Sequence, residues 1–323
     1  MDSFEGRIAV VTGGGTGMGR ELARQLSAEG CHVSMCDVSS DDMAETEHLC
    51  REGAPAGTVV SSFAADVSDE GHLAAFAEHV QQAHGTDHIN LLFNNAGIGG
   101  GGSIVTDDRS EWERTFNVCW GGVYLGTRTF LPLLLAASAG HVVNTSSVNG
   151  LWASLGPNNP HTAYSAAKFA VRGFTEALIA DFRVNAPHLK ASVVMPGHIG
   201  TSIVINSGRY LGRDPKELTA EQLQDLRQRL AKRGTPVDGA SDEDLRQLMV
   251  TMAEGFRDDA PTSSAQAAEI ILAGVRAGEW RILVGDDAHV IDRLVRDHAE
   301  EAYDVGFLDR IRQAGILAGV VRD

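Results

Sequence analysis

Short apolar runs recur along this 323-residue chain, separated by longer stretches whose apolar residues return at helical spacing. The short runs predict strands over Arg7–Val11, His32–Cys36, Val59–Ala64, Asn90–Phe93, His141–Thr145, Lys190–Met195 and Arg281–Val284. Most are apolar at consecutive positions, as parallel strands must be when helices cover both faces of a sheet. The longer stretches predict helices over Gly19–Ala28, Glu70–Ala83, Trp112–Ala137, Ala163–Asn185 and Ala265–Ala277. Strand–helix alternation at this spacing means βαβ units. The fold class expected is α/β, a three-layer, doubly wound arrangement around a seven-stranded parallel sheet. Ligands of such sheets bind beyond the carboxyl ends of the strands, so functional residues are expected there.

One region breaks the rhythm. Residues 202–264 carry no strand signal, only charged, helix-like sequence inserted after the sixth strand. Thr219 followed by Gln222, and Ser241 followed by Asp244, read as helix starts of the capping-box type. Leu245, Leu248, Met249, Met252 and Phe256 then form an apolar stripe that packs on the body and suits a lid over a substrate. A further extension, 286–323, carries Val290, Leu294 and Val295 and is expected over a neighbouring copy or over its own active site. The expected organisation is a single domain, 1–323, carrying this insertion and this extension.

Composition narrows the field. Lys and Arg number 27 against 43 Asp and Glu, a formal charge of −16, which argues against nucleic-acid partners and polybasic membrane docking. The chain opens on an acidic segment without a signal-like apolar region, and its longest strongly apolar stretch, Phe130–Ala139, is well short of the ~20 residues of a spanning helix. Cys31, Cys36, Cys50 and Cys119 form no C-x-x-C pair, as expected of reduced thiols in the cytoplasm. No His, Cys, Asp or Glu cluster has metal-ligand spacing, so no metal is expected. Glycine is in excess, 36 residues, partly gathered at Gly13–Gly19, Gly97–Gly102 and Gly197–Gly200.

The first of these clusters follows the first strand as Thr12-Gly13-Gly14-Gly15-Thr16-Gly17-Met18-Gly19 and opens a helix. Glycines there let the backbone turn sharply and approach a pyrophosphate, which rests on the free N–H groups of the helix start. The spacing is T-G-x-x-x-G-x-G rather than G-x-G-x-x-G. Asp37 ends the second strand, where a carboxylate accepts from ribose hydroxyls and repels a 2′-phosphate. The nearest base, Arg20, lies just inside the helix. NAD is therefore expected over NADP. Tyr164 and Lys168 share a helix face at i, i+4. A lysine ammonium favours the phenolate of a neighbouring tyrosine, making it a general base for an alcohol proton. Ser147, after the fifth strand, can donate to the substrate oxygen.

These motifs resemble the short-chain dehydrogenase/reductase family, in the subgroup marked by T-G-x-x-x-G-x-G and Y-x-x-x-K. The likeness covers roughly Gly6–Thr201 and resumes over Thr262–Gly285. It implies a Rossmann fold and a catalytic set of Asn117, Ser147, Tyr164 and Lys168, Asn117 holding a water that links the lysine to a proton relay. It implies cofactor contacts from Gly13, Gly15, Thr16, Gly17, Met18, Gly19 and Asp37. To these it adds the Asp66-Val67 pair at adenine, Asn94, Ala96 and Gly97 of N-N-A-G, Tyr164, Lys168, and Pro196, Gly197, Ile199 and Thr201 of the P-G turn. Ser147, not Ser146, stands in the S-x-x-G register with Gly150. Its separation of 17 from Tyr164 is longer than usual in the family, the excess falling in 155–160. Asn90 stands where the family often has Asp. Gly99, Trp152, His161 and His198 are candidates for the substrate pocket, the glycine run 99–102 forming a mobile wall.

The function expected is NAD-dependent interconversion of a secondary alcohol and a ketone, in a homodimer or homotetramer paired through the helices 112–137 and 163–185. Alternatives are an NADP-dependent ketone reductase of the same family or a catalytically silent dinucleotide sensor. The narrow Tyr–Lys spacing argues against an enoyl reductase.

Overall fold

In a computed structural model the described residues are 3–154, 159–232, 235–237 and 239–316. The chain opens β1 (Ile8–Thr12), α1 (Gly17–Ala28), β2 (His32–Asp37), α2 (Ser40–Gly53), β3 (Val60–Ala64) and α3 (Glu70–His84). It continues with β4 (Leu91–Asn94), α4 (Arg109–Phe116), a π-helical turn (Asn117–Gly121), α5 (Gly122–Ala136) and β5 (Gly140–Thr145). A short 3₁₀ turn (Val148–Gly150) precedes α6 (Thr162–Asn185), β6 (Leu189–Pro196) and β7 (Ile199–Gly200). The inserted segment forms α7 (Ile203–Tyr210), α8 (Ala220–Lys232) and α9 (Asp242–Asp258). Then come β8 (Thr262–Ser263), α10 (Ser264–Ala277), β9 (Arg281–Val284), α11 (Asp286–Asp297) and α12 (Phe307–Gln313).

Among the described residues seven strands form one parallel sheet in the order β3-β2-β1-β4-β5-β6-β9. Consecutive residues of each central strand feed opposite cores. Val11, Phe93 and Val143 join Leu22, Leu26, Ile271 and Leu272 from α1 and α10 on one face. Val10, Leu92 and Val142 join Phe76, Phe130, Leu134 and Phe182 from α3, α5 and α6 on the other. This explains the unbroken apolar runs: alternation along a strand divides residues between faces, and here both faces are dry. Burying each large side chain contributes about 1.5–3 kcal/mol.

Three features depart from the sequence reading. Helix α2 was not expected, because only Met43, Thr46 and Cys50 of its residues are buried and its periodicity is weak. The segment read as strand-free ends in β8, which pairs with β7 through two residues, too few to carry a period. The helical run 109–136 is long and apolar enough to cross a membrane by length and composition, yet half of its apolar window is buried within the fold. The capping reading of the insertion agrees with the structure: Thr219 exchanges bonds with Gln222, and Ser241 with Asp244.

One buried and one half-buried histidine make this core sensitive to acid. The ring of His141 bonds Ser192 Oγ at 2.7 Å, and burial, aided by nearby Lys190, pushes its pKa from 6.5 to about 3. His84 bonds Ser34 Oγ at 2.7 Å, and burial, with His32 and His79 close by, lowers it from 6.5 to about 4. The unfolded chain binds these protons near pH 6.5, the folded chain only near 4 and 3. Their contribution to stability is therefore whole above pH 6.5 and drains away as pH falls. The melting temperature is expected to drop between about pH 6.5 and about 4.5, and His141→Gln to flatten part of that slope. A melting temperature level across this window in differential scanning calorimetry would refute the account.

Candidate active site

The sheet order reverses between β1 and β4, and a cleft opens there at their carboxyl ends. It encloses about 850 Å³, its solvent-filled mouth included, between the glycine loop, β2, β4 and α7. The loop turns at Gly13 (φ +67°) and Gly17 (φ +56°), a backbone conformation open to glycine. Asn95 fastens it, donating from Nδ2 to the carbonyls of Thr12 (3.1 Å) and Gly13 (3.3 Å). Gly19 packs directly against the Gly13 carbonyl, leaving no room for a Cβ. Among the described residues no side chain caps the start of α1, an arrangement that suits an anion at its first N–H groups.

Asp37 lines this cleft, its Oδ2 accepting from Gly15 N at 3.0 Å and its Oδ1 from Ser39 N at 3.2 Å. Burial raises its pKa above the ordinary carboxylate value, against the pull of these N–H groups. Arg20 is engaged elsewhere: it donates to the Gly15 carbonyl at 3.0 and 2.7 Å, to Thr46 at 3.0 Å and to Glu45 at 2.7 Å. Asp66 accepts from Ser68 N (2.9 Å), from Ser68 Oγ (2.7 Å) and from the hydroxyl of Tyr210 (2.7 Å). Burial works against these bonds, but together they hold its carboxyl below the usual range.

At the far side α6 brings Tyr164 and Lys168 onto one face, Nζ lying 5.3 Å from the centre of the tyrosine ring. Lys168 is buried and donates to the Thr145 carbonyl at 2.9 Å. A Cβ on Gly97, which lines the cleft, would lie 3.5 Å from Nζ. Ser147 stands near enough to the Tyr164 hydroxyl to pull its pKa down, and its Oγ accepts from Asn149 N at 3.1 Å. Ser146 turns away to the Lys168 carbonyl at 2.7 Å, which leaves Ser147 as the serine at the tyrosine. Burial dominates both titrations: it pushes the Tyr164 phenol up, opposed by Ser147, and the Lys168 ammonium down. The depressed tyrosine expected from the Tyr–Lys pair alone is thus not the state of the free protein.

Of the anticipated cofactor residues, Gly13, Thr16, Gly17, Met18, Asp37, Asp66, Val67, Ala96, Gly97 and Thr201 line the cleft. Others lie behind it. Gly15 and Gly19 shape the loop, Pro196 ends β6, Gly197 packs on Asp287, and Ile199 is buried in β7. Asn94 is a correction: it is fully enclosed, donating to Asn144 at 2.8 Å and Thr127 at 3.1 Å, and braces the sheet while Asn95 reaches the loop. Asn117 is another. Its side chain is exposed and makes no hydrogen bond among the described residues, and its carbonyl is taken by Gly122 N in the π turn. The residue facing the lysine is Cys119, buried, accepting from Ile98 N at 3.5 Å and donating to Ile98 O at 3.1 Å.

The substrate candidates divide as well. His161 lies beside Tyr164, ring centres 4.9 Å apart, and Gly99 N donates to Ser207 of α7 at 2.8 Å. Trp152 faces away from the cleft: its Nε1 donates to Ala302 O at 2.7 Å and its ring packs on Phe307, so the C-terminal extension covers it. His198 is a tie between segments, donating from Nε2 to Phe256 O at 2.7 Å. The glycine run is not a free wall. The carbonyls of Gly101 and Gly102 accept from Ala163 N (3.0 Å) and Thr162 N (2.8 Å) and so cap the helix that carries Tyr164. The excess residues of the Ser147–Tyr164 gap fall mostly at 155–158, outside the described residues. Sequence reasoning missed Ile203, Asn206 and Tyr210, which line the cleft from α7 at i, i+3 and i+7. That spacing was present in the sequence; what was missing was the partner face.

The fold and this cleft define a dinucleotide-binding α/β protein with a serine–tyrosine–lysine centre. The short chain dehydrogenase family profile matches residues 7–210. SadH of Mycobacterium tuberculosis, named an oxidoreductase only provisionally, is 36% identical over 297 residues, 92% of each chain. Levodione reductase of Leifsonia aquatica is 33% identical over 220 residues, 68% of this chain and 79% of that protein. Among solved structures, a short-chain dehydrogenase/reductase from Burkholderia phymatum in complex with NAD aligns with a TM-score of 0.73 at 29% identity, covering 93% of this chain and 96% of that one. A metagenomic short-chain oxidoreductase in complex with NADP aligns at 0.53 and 32% identity, over 60% of this chain and 83% of that one. The chain belongs to the short-chain dehydrogenase/reductase family and is an oxidoreductase of that family.

The contrast between Asn117 and Cys119 is measurable. Asn117→Ala is expected to leave unfolding free energy within about 0.5 kcal/mol of the parent, while Cys119→Leu overpacks the contact with Ile98 and costs about 1–3 kcal/mol. Urea titrations giving equal losses for the two would contradict this placement.

Proposed function

We propose that the protein interconverts a secondary alcohol and the matching ketone with NAD, Tyr164 exchanging the hydroxyl proton. The observation that carries this reading is the gathering of Ser147, Tyr164 and a buried Lys168, Nζ 5.3 Å from the tyrosine ring, bordering a cleft whose glycine loop and uncapped helix suit a pyrophosphate. When bound, the dinucleotide supplies the acceptor or donor of the hydride. Ser147 orients the substrate oxygen by donating to it. Tyr164 takes the alcohol proton during oxidation and returns it during reduction. In the free protein burial keeps Tyr164 protonated; positive charge nearby, from Lys168 and from an oxidised ring in the cleft, favours its phenolate.

NAD is favoured over NADP by Asp37 at the cleft and by Arg20, whose guanidinium is committed to Gly15, Thr46 and Glu45 rather than free for a 2′-phosphate. The likeness to levodione reductase supports a carbonyl substrate. Residues 202–264 act as a substrate lid: Asn206 donates to Thr16 Oγ1 at 3.1 Å, and Tyr210 to Asp66, from the α7 end of that segment. Self-association is supported by an aromatic face on the π turn, α5 and α6, where Trp120 lies 5.3 Å from Phe174 and where Tyr124, Leu135 and Phe169 are 43%, 45% and 39% exposed. A cytoplasmic setting agrees with four free, buried cysteines.

The test is a panel of secondary alcohols and ketones assayed separately with NAD and NADP. Tyr164→Phe is expected to lower turnover by about 10²–10⁴-fold while NADH affinity changes little. Undiminished turnover in that variant would sink the assignment. Asp37→Ser is expected to shift the NADP/NAD ratio of kcat/KM upward by at least about tenfold, about 1.4 kcal/mol. Better turnover with NADP in the parent enzyme would overturn the cofactor reading.

A further inference from the structure

Three distant stretches of chain meet behind the turn Pro196-Gly197-His198. β9 runs beside β6 with Pro196 opposite Val284, and the Val284 carbonyl accepts Gly197 N at 3.0 Å. The next N–H, that of His198, goes to Oδ2 of Asp287 at 2.6 Å. Oδ1 of the same carboxylate accepts Ala288 N at 2.9 Å, in the first turn of α11. A Cβ on Gly197 would collide with this carboxylate, so the turn and Asp287 are in direct contact. Gly285, at φ +95°, swings the chain from β9 into α11 and brings Asp287 there. From the opposite side β8 pairs with β7, and His198 reaches Phe256 of α9.

Asp287 is 4% exposed and forms no ion pair with a basic side chain among the described residues. Burying a carboxylate without a cation is costly. The charge is met instead by two N–H groups and by the positive end of α11. A polar bond of this kind fixes direction as well as distance, which apolar packing would not. The turn it fixes leads through Ile199 to Thr201, and Thr201 lines the cleft beside Gly17.

We propose that Asp287 is a positioning residue for the Pro196–Thr201 turn, so that the head of the C-terminal extension sets where the reactive ring of the dinucleotide lies. This rests on the dinucleotide reading above, in which the P-G turn contacts the cofactor, through Thr201 in the cleft, and the reactive ring lies near Tyr164. The adenosine end of the cleft, built by Asp37 and Asp66, lies outside its reach.

The experiment compares binding of NADH and of ADP-ribose, which lacks the nicotinamide, by titration calorimetry on the full chain. Asp287→Ala is expected to weaken NADH about tenfold and ADP-ribose by less than about twofold. Asp287→Asn keeps an acceptor oxygen for His198 N and should stay within about threefold of the parent for both ligands. Asp286→Asn, an exposed change in the same helix turn, should alter neither. Should the alanine variant not fold, Asp287→Glu makes the same test, since its extra methylene pushes the carboxylate against Gly197 and should weaken NADH selectively. Equal losses for both ligands, or unchanged NADH affinity in Asp287→Ala or Asp287→Glu, would overturn the proposal. A parent protein that binds neither ligand would overturn the dinucleotide reading itself, and this inference with it.

Discussion

The hydroxyl of Thr12 sits where the sheet changes direction, and the geometry of the cleft hangs on it. It donates to the Phe93 carbonyl at 3.4 Å and accepts from Asn95 N at 3.0 Å and Ala96 N at 3.1 Å. Two strands that separate at this point are thereby held at a fixed spacing just beyond their last shared pairing, Val11 with Phe93. The Asn95 amide repeats the clamp one residue further on. With that edge fixed, the glycine loop has one path from β1 into α1, and the free N–H groups of the helix point across the gap. A doubly wound sheet supplies the gap by topology. The Thr12–Asn95 contacts supply its width.

The same logic of saturated backbone groups governs the reactive helix. Two glycine carbonyls end-cap α6 at Thr162 and Ala163, and Ser146 binds the carbonyl of Lys168 one turn beyond Tyr164. The side chains of the centre therefore stand on backbone that is tied at both ends of the segment. Their charge states are a separate matter. Burial favours neutral forms of both Tyr164 and Lys168 in the free protein, and in the proposed reaction positive charge brought close to Tyr164 favours its phenolate.

Segments outside the sheet contribute by reaching back to it. Asn206, Ser207 and Tyr210 of α7 bond to the glycine loop, the 99–102 run and Asp66 in turn. The C-terminal extension seals Trp152 and holds the turn after β6 through Asp287. Neither link is between neighbours in sequence.

Much was determined by the sequence alone. Seven strands were legible within a residue or two at their ends, the central ones because a strand buried on both faces has no choice but continuous apolarity. The glycine loop, Asp37, and the Ser147, Tyr164 and Lys168 set were legible because each stands at a strand end or helix start that the pattern locates. What tertiary structure decided is which of several similar residues points inward. Asn94 and Asn95 are adjacent, yet alternation along β4 sends the first into the sheet and leaves the second for the loop. Asn117 and Cys119 are two apart, and the π turn, with its extra residue per cycle, rotates the cysteine toward Lys168 and the asparagine toward solvent. Trp152, a pocket candidate by sequence, is covered by the extension through Ala302 and Phe307. Local periodicity can specify where an element begins; the direction of a side chain at its end depends on contacts that exist only once the chain has closed on itself.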